Sequence, residues 1–302
     1  MGEFVPSYLK LYEEGKLKER VELLKETLAP CEVCPHRCGV NRLKGEKGFC
    51  KTSYTVRVSS AFLHRGEEKP IRGDTGSGTI FFSYCNMACV YCQNYEISQL
   101  GEGEDLIPQE LANIMLYLQK EGAVNINLVT PSHVVPQIVE AIYLATQRGL
   151  KIPIVYNTSS YDGLKTLKLL EGIVDIYLAD LKYLDESIAR RYSRVKNYPR
   201  VAKEAIKEMY RQVGNLKLDH RGVAYRGLLV RHLVLPNDLS TSFEVMDFLS
   251  SLGKGLAVNV MGQYFPFYLA KKFEELAIRP SLLEIERVKA YARQKGLWLI
   301  ED

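Results

Sequence analysis

All seven cysteines of this 302-residue chain fall into two short groups. The second group places Cys85, Cys89 and Cys92 in the run TIFFSYCNMACVYCQN, directly after residues that we predict to form a strand. Three thiolates at this spacing can bind three irons of a 4Fe-4S cluster and leave the fourth iron open to an exogenous ligand. A structural metal site normally closes its coordination with a fourth protein ligand, and the spacing gives no support to His64 in that role. The pattern therefore favours a reactive iron-sulfur centre over a structural site or three buried free thiols.

The first group brings four thiols, Cys31, Cys34, Cys38 and Cys50, into one loop-rich segment with few apolar residues. Such a segment cannot bury enough surface to fold alone, so a bound metal would supply its stability. Structural zinc prefers paired C-x2-C knuckles, and only Cys31 with Cys34 fits that spacing. We favour a second 4Fe-4S cluster, because the chain must already receive such clusters, and zinc stays open as the alternative.

The composition narrows the class of protein. Lys and Arg total 40 against 36 Asp and Glu, a net charge of +4 that is too small and too interspersed to indicate nucleic-acid binding. No stretch approaches the roughly 20 apolar residues that cross a bilayer, so we expect no membrane association. A chain of this length needs no disulfides to stabilise its core. We therefore expect a reducing, cytoplasmic setting in which the cysteines are metal ligands.

The order of apolar segments predicts an α/β fold. From residue 79 onward, nearly continuous apolar runs alternate with segments of helical periodicity, which is typical of parallel βα units. Six units predict a partial (β/α)6 barrel over residues 76–302, with a cysteine-rich extension over residues 1–75. Ligands of such barrels gather at the carboxyl ends of the strands, where the second cysteine group follows the first strand. The predicted strands cover residues 79–83, 125–130, 153–157, 174–181, 227–235 and 256–261.

Three helices have clear signals. A charged helix is predicted over about residues 7–28. A second helix begins near Pro108, whose missing N–H suits the first turn, and continues with apolar residues at helical spacing. A third begins at Ser281, because Glu284 completes a capping box with it.

The second cysteine group resembles the hallmark of the radical S-adenosylmethionine (SAM) superfamily, C-x3-C-x2-C with an aromatic residue, here Tyr91, before the last cysteine. The resemblance implies a radical SAM barrel in which the open iron is chelated by the amino and carboxylate groups of SAM. It also implies that one electron cleaves SAM to a 5'-deoxyadenosyl radical, while the protein orients the cofactor and excludes water.

A closer resemblance covers residues 31 to 265 and concerns homologues of pyruvate formate-lyase activating enzyme. Its segments are CPHRCGVNRLKGEKGFC, NLVTPSH, DIYLADLKY and RHLVLP. Asp180 and Lys182 match the D-x-K motif of glycyl-radical-enzyme activating enzymes, in which the pair positions SAM, and Asn94 matches their C-x-x-C-x-N pattern. Residues two apart on a strand face the same side, so we expect the pair in the barrel lumen; a solvated surface ion pair is the alternative.

The same resemblance indicates further SAM contacts. Asn157 lies at the ribose-contacting position, in a turn with Ser159 that replaces the D-T-N-G of the activating enzymes. Thr130 and Ser132 stand where the superfamily often has a G-G-E stretch that holds the SAM amino group. Both can form hydrogen bonds but carry no charge.

Arg231 interrupts an otherwise apolar strand. A guanidinium there is costly unless it is paired, so we expect Arg231 to face the lumen, to meet a carboxylate of cofactor, substrate or protein, and to belong to the catalytic set with Asp180 and Lys182. The neighbouring His232 should point the other way and serve as a packing residue.

Three functions compete. The resemblance favours a radical SAM oxidoreductase that abstracts hydrogen from a protein or peptide and takes its electron from a donor such as flavodoxin or ferredoxin. Radical modification of a small metabolite or peptide is the second. A non-enzymatic protein with two iron-sulfur clusters is the third, and formation of 5'-deoxyadenosine under reduction separates it from the others.

Overall fold

A computed structural model describes residues 4–301 of the chain. These residues form one sheet of ten strands, with the main apolar core on one of its faces and a smaller core around Ile71 on the other. The strands are β1 (Val56–His64), β2 (Ser77–Phe82), β3 (Glu104–Leu106), β4 (Ile126–Val129), β5 (Ile154–Thr158), β6 (Ile176–Asp180), β7 (Lys217–Leu218), β8 (Ala224–Leu233), β9 (Ala257–Met261) and β10 (Trp298–Leu299). The helices are α1 (Ser7–Glu13), α2 (Lys16–Glu26), α3 (Lys69–Arg72), α4 (Pro108–Lys120), α5 (Val135–Thr146), α6 (Leu164–Leu169), α7 (Glu186–Ile188), α8 (Tyr198–Val213), α9 (Ser242–Leu252) and α10 (Leu282–Gln294).

The strand order confirms the predicted fold class. The sheet runs β10-β9-β8-β6-β5-β4-β2-β1-β3, and its neighbours from β2 to β10 are parallel. The six predicted strands correspond to β2, β4, β5, β6, β8 and β9. Because β10 and β3 end the order, the sheet is open, as in a partial barrel.

The strand β1 joins the sheet from the N-terminal side of residue 76. It pairs antiparallel with β2 and also with β3. The sequence analysis did not predict this strand, because Arg57, Ser59 and Ser60 interrupt its apolar run. The boundary between residues 75 and 76 stays a prediction, and the sheet includes residues from both sides of it.

The lumen face of the sheet is apolar at one end and polar at the other. Val155, Leu178 and Leu229 pack around Ile71 of α3, which fills the apolar end. Side chains two residues further along a strand emerge on the same face. This spacing explains why the next lumen residues on β5, β6 and β8 are the polar side chains Asn157, Asp180 and Arg231.

Two of the three predicted helices are confirmed, and the first is wrong in one respect. Helix α4 begins at Pro108, and α10 follows the capping box of Ser281 with Glu284. The helix predicted over residues 7–28 is two helices, α1 and α2, because Gly15 between them adopts a left-handed conformation with φ of 73°. Across residues 4–301, none of the helices combines the length and apolar character that crossing a bilayer requires.

Asp175 ties the N-terminal helix to the sheet, and we expect it to make stability depend on pH. Its fully buried carboxylate accepts hydrogen bonds from the backbone N–H groups of Ser7 (2.9 Å) and Ile154 (3.2 Å). Burial raises the pKa of Asp175 from 3.8 to about 6. The pKa of Asp175 is higher in the folded chain than in the unfolded chain. Its contribution to the free energy of unfolding is therefore fully present below about pH 4 and is lost as pH rises through 6.

The test compares Asp175→Asn with the unchanged chain by urea unfolding from pH 4 to pH 7. Relative to the variant, the unchanged chain should lose roughly 2–3 kcal/mol of unfolding free energy over this range. Asp74→Asn, at an exposed position, is the control and should show no such trend. A constant difference between Asp175→Asn and the unchanged chain at all pH values would contradict the assignment.

Candidate active site

A cavity of about 440 Å³ lies at the carboxyl ends of the parallel strands. Its walls come from the loop after β2 and from the ends of β4, β5, β6, β8 and β9. All three thiols of the second cysteine group line it, as do Asp180 and Lys182. The fold therefore brings the sequence-predicted cluster loop and the predicted SAM-positioning pair to one place.

Each thiol of the loop over residues 83–94, called the Cys85 loop below, has a hydrogen-bonding neighbour. The backbone N–H of Met87 donates to Cys85 Sγ at 3.3 Å. The Sγ atom of Cys89 lies 3.0 Å from Ser193 Oγ, and that of Cys92 lies 3.1 Å from Ser98 Oγ. Burial raises the pKa of the Cys85 and Cys89 thiols.

The donor set fits a 4Fe-4S cluster with one open iron. Three thiols face one cavity, and donors near their sulfurs can stabilise thiolate charge. Throughout the described part of the chain, no three His, Cys, Asp or Glu side chains converge on one point as a single ion would require. A cluster needs no such convergence, because each thiolate binds a different iron.

Asp180 and Lys182 form an ion pair on the cavity wall. Lys182 Nζ donates to Asp180 Oδ2 at 2.8 Å, and the two side chains are only 18% and 27% exposed. Burial alone would lower the pKa of Lys182, but the Asp180 carboxylate raises it above its ordinary value, so the ammonium stays charged. The pair is directed towards the lumen, not towards solvent, as the strand spacing predicts.

The predicted SAM contacts near the last cysteine lie on the cavity wall. Tyr91 is buried, and its hydroxyl donates to that of Tyr183 at 3.3 Å. Asn94 is exposed at the cavity rim, and its carbonyl accepts from the N–H of Ser98 at 2.9 Å. Their assignment as cofactor contacts stays a prediction.

The turn after β5 brings Asn157 and Ser159 to the cavity, and Thr130 reaches it from the end of β4. The hydroxyl of Ser159 is buried and has no hydrogen-bond partner, so it is available to a ligand. Thr130 has a left-handed φ of 62°, a conformation in which a β-branched residue is strained and which is common at functional sites.

Ser132, in contrast, is outside the cavity wall. Its hydroxyl lies 3.0 Å from Thr158 Oγ1, which donates to Asp162 at 2.6 Å. Tyr156 donates to the other carboxylate oxygen of Asp162 at 2.7 Å. Ser132 therefore helps to hold the turn after β5, and the structure does not bring it to the cavity as predicted.

Arg231 faces the lumen and meets two carboxylates that the sequence analysis missed. Its guanidinium bonds to Glu67 and Glu68, from the segment between β1 and β2. The three side chains are 16%, 7% and 2% exposed. Burial opposes ionisation of Glu68, but Arg231 lowers its pKa below the ordinary value. Whether Arg231 also acts in catalysis stays a prediction.

No local signal marks these two glutamates, because their partner lies more than 160 positions away in sequence. Asn259 of β9 is a further missed member, and its side-chain amide donates to Glu68 at 2.9 Å. His232 behaves as predicted. Its ring nitrogens bond to the Leu181 carbonyl at 2.7 Å and to the Ser242 hydroxyl at 2.9 Å, on the opposite side of β8.

The first cysteine group forms a second cluster of thiols, in residues 31–50, called the four-cysteine segment below. Cys31, Cys34 and Cys50 are buried and Cys38 is partly exposed, and all four are free thiols. Burial raises the pKa of Cys34 to about 12, and the other three thiols lie close enough to contribute. The four predicted ligands therefore lie near one another, but like the second group they do not converge on one point as a single ion would require, so their arrangement favours a cluster over zinc.

Residues 79–219 match the sequence model described as the Radical SAM superfamily. Uncharacterized protein MJ0674 of Methanocaldococcus jannaschii is 34% identical, over 97% of this chain and 83% of that protein. Among solved structures, SuiB of Streptococcus suis is 14% identical with a TM-score of 0.48, over 74% of this chain and 47% of SuiB. Methylornithine synthase (PylB) is 17% identical with a TM-score of 0.46, over 72% and 61%. The chain thus spans less than half the length of SuiB.

The matched residues include the Cys85 loop and the Asp180–Lys182 pair. Membership of the superfamily implies an enzyme, a 4Fe-4S cluster and SAM, and the three thiols on the cavity wall suit that cluster. Residues 79–219 are therefore a domain of the radical SAM superfamily, and the whole chain belongs to the same family as MJ0674.

Proposed function

We propose that this protein is a radical SAM oxidoreductase that removes a hydrogen atom from a polypeptide, as the glycyl-radical-enzyme activating enzymes do. The observation that carries the proposal is that three thiols and the Asp180–Lys182 pair line one cavity at the strand ends. A flavodoxin or ferredoxin would donate the electron in a reducing, cytoplasmic setting.

When bound, the cluster and SAM would supply the radical chemistry needed for hydrogen abstraction. The side chains of this protein then have three tasks. Asp180 accepts hydrogen bonds and Lys182 keeps its charge beside it, so the pair can orient a polar cofactor. Asn157 and the unpartnered Ser159 hydroxyl supply further hydrogen-bonding groups. The apolar end of the lumen around Ile71 keeps water from entering the cavity through that end.

The size of the cavity and the open sheet support a polypeptide substrate. A cavity of about 440 Å³ is near the lower end of the range for small-molecule sites. A cluster and SAM would take up much of that volume, which leaves room for one side chain or a short backbone segment. Because β3 and β10 do not pair with each other, an extended loop has a lateral way in.

Radical modification of a small metabolite is the second candidate, and one observation favours it. Glu67, Glu68, Arg231 and Asn259 present charged and amide groups on the cavity wall. Groups of this kind could bind a polar metabolite. The arms of the experiment below separate the two candidates.

The expected result of an isotope experiment is deuterium transfer from a polypeptide. The reconstituted protein is incubated anaerobically with SAM, a reductant and polypeptides deuterated at glycine. Because the reacting atoms must lie about 3–3.5 Å apart for abstraction, deuterium in 5'-deoxyadenosine identifies the chain that reaches the cavity. A second arm uses unlabelled polypeptides with deuterated small metabolites. Transfer in the second arm alone would contradict the polypeptide proposal.

Replacing Ser193 should shift the potential of the cluster. Its hydroxyl lies 3.0 Å from Cys89 Sγ and also contacts the Tyr183 hydroxyl. Hydrogen bonds to cluster sulfurs stabilise the reduced cluster, which carries more negative charge, and therefore raise its reduction potential. Ser193→Ala should therefore lower the reduction potential by about 20–60 mV, the equivalent of one hydrogen bond in a one-electron couple.

The potential is measured by redox titration followed by electron paramagnetic resonance. Ser187→Ala is the matched control, because Ser187 is an exposed serine nearby in α7 that bonds to Asp185 and not to a thiol. Equal potentials for the two variants would show that Ser193 does not interact with the cluster.

A further inference from the structure

The four-cysteine segment is docked on the cavity end of the barrel. The Val33 carbonyl accepts a hydrogen bond from Thr166 Oγ1 at 2.7 Å. Arg42 is buried, and its guanidinium donates to the carbonyls of His133 (2.7 Å) and Ser53 (2.8 and 3.0 Å). His133 belongs to the loop after β4, and Thr166 lies in α6 after β5. The segment therefore contacts the loops that surround the cavity.

His36 makes the contact that reaches the Cys85 loop. Its Nε2 lies 2.8 Å from the carbonyl oxygen of Asn86, the residue next to Cys85. The ring stacks on Phe49 at 4.0 Å between centroids and meets the edge of Tyr161 at 5.5 Å. Asn86 is fully buried, and its side-chain amide donates to the Tyr161 carbonyl at 2.6 Å. One imidazole side chain and one hydrogen bond thus link the backbone of the first cysteine group to that of the second.

The thiols of the four-cysteine segment have the burial and close packing expected of metal ligands. Cys31, Cys34 and Cys50 are each 6% exposed, although the segment has little regular structure beyond one short helical turn, Arg42–Lys44. A side chain on Gly48 would place its Cβ 2.6 Å from Cys38 Sγ, so only glycine allows this close approach. Four buried or half-buried free thiols in a segment with little regular structure are typical of a segment that a metal holds together.

We propose that the four-cysteine segment binds a thiolate-coordinated metal centre, and that this centre holds the Cys85 loop in place through His36. His36 lies two residues from Cys34 and two from Cys38, so metal bonds to those thiols fix the position of its ring. With the ring fixed, the hydrogen bond to Asn86 restrains the backbone beside Cys85. Without the metal the segment loosens, and this restraint weakens. The inference uses the proposed function only in taking the Cys85 loop as the cluster site.

The first experiment tests metal binding in the absence of the second cysteine group. The full chain with Cys85→Ala, Cys89→Ala and Cys92→Ala is reconstituted anaerobically with iron and sulfide, or with zinc. The proposal predicts about one four-iron cluster or one zinc ion per chain. Iron with sulfide identifies a cluster, and zinc alone identifies a zinc site. The control is a chain that also lacks Cys31 and Cys34. If the triple variant binds no more iron or zinc than this control, the proposal is wrong.

The second experiment tests the link through His36, by hydrogen exchange of the Cys85 loop followed by mass spectrometry. In the protein loaded with both centres, His36→Ala should speed exchange of the loop amides about tenfold, the effect of one lost hydrogen bond on local opening. His36→Gln can still donate to Asn86 and should restore most of the protection. The control is His220→Ala, which changes an exposed histidine and should have no effect.

Removing the metal ligands should reproduce the effect of removing His36. The chain with Cys31→Ser and Cys34→Ser should show the same faster exchange in the Cys85 loop, and adding His36→Ala to it should change little further. The unaltered chain must first be shown to hold metal in the four-cysteine segment. If the Cys85 loop then exchanges at the same rate in His36→Ala and in the Cys31→Ser, Cys34→Ser chain as in the unaltered chain, the proposed role of His36 is wrong. Because exchange needs no SAM turnover, this failure is distinguishable from failure of the proposed function.

Discussion

Replacing Cys85, Cys89 and Cys92 together with alanine is expected to reduce SAM cleavage to background and to leave the fold intact. Cys89 belongs to the edge of the main apolar core, and Cys85 and Cys92 pack against it, but alanine is also small and apolar and the rest of that core is unchanged. Without these thiolates the chain has no ligands for a cluster with an open iron on the cavity wall. The measurement is 5'-deoxyadenosine formed under anaerobic reduction, together with circular dichroism and thermal unfolding.

This variant separates the two cysteine groups. Its four-cysteine segment is unchanged, so any metal that it still holds cannot come from the second group. Formation of 5'-deoxyadenosine at the rate of the unaltered protein would mean that the Cys85 loop is not the reactive centre.

Replacing Arg231 with methionine should destabilise the protein by about 3–5 kcal/mol, because it leaves buried carboxylates without their cation. Glu67 and Glu68 are almost fully buried, and both bond to the Arg231 guanidinium. The shape of methionine suits the lumen, so lost charge compensation is the main effect. The measurement is the free energy of unfolding in denaturant.

Two controls make the result specific. Arg200→Met removes an arginine that pairs with Glu204 on the surface, where its side chain is 65% exposed, and should cost less than about 1 kcal/mol. Adding Glu67→Gln and Glu68→Gln to Arg231→Met removes the uncompensated charges and should recover most of the stability. Similar losses for Arg231→Met and Arg200→Met would show that the buried network has no special role.

The sequence predicted those features that depend on neighbouring residues. The six central strands are buried on both faces, so their nearly continuous apolar runs identified them. Capping chemistry located the start of α10, and the two-residue strand period placed Asp180 and Lys182 on one side. Each of these signals is contained within a few consecutive positions.

Features that depend on distant pairing were missed. In sequence, Glu67 and Glu68 look like part of an ordinary charged turn. Only the fold brings Arg231 next to them. Ser193 and Tyr183 likewise reach Cys89 and Tyr91 only through the packing of the loop after β6. The one signal within reach was Gly15, whose position inside a predicted 22-residue helix suggests a break between two shorter helices.

The most direct test of the central claim is the formation of 5'-deoxyadenosine by the reconstituted, unaltered protein, compared with and without reductant under anaerobic conditions. We predict product that requires the reductant, SAM and the cluster together, and that disappears when any one of them is left out. A fully reconstituted protein that binds SAM and accepts the electron, yet forms no 5'-deoxyadenosine with any polypeptide or metabolite, would contradict the account.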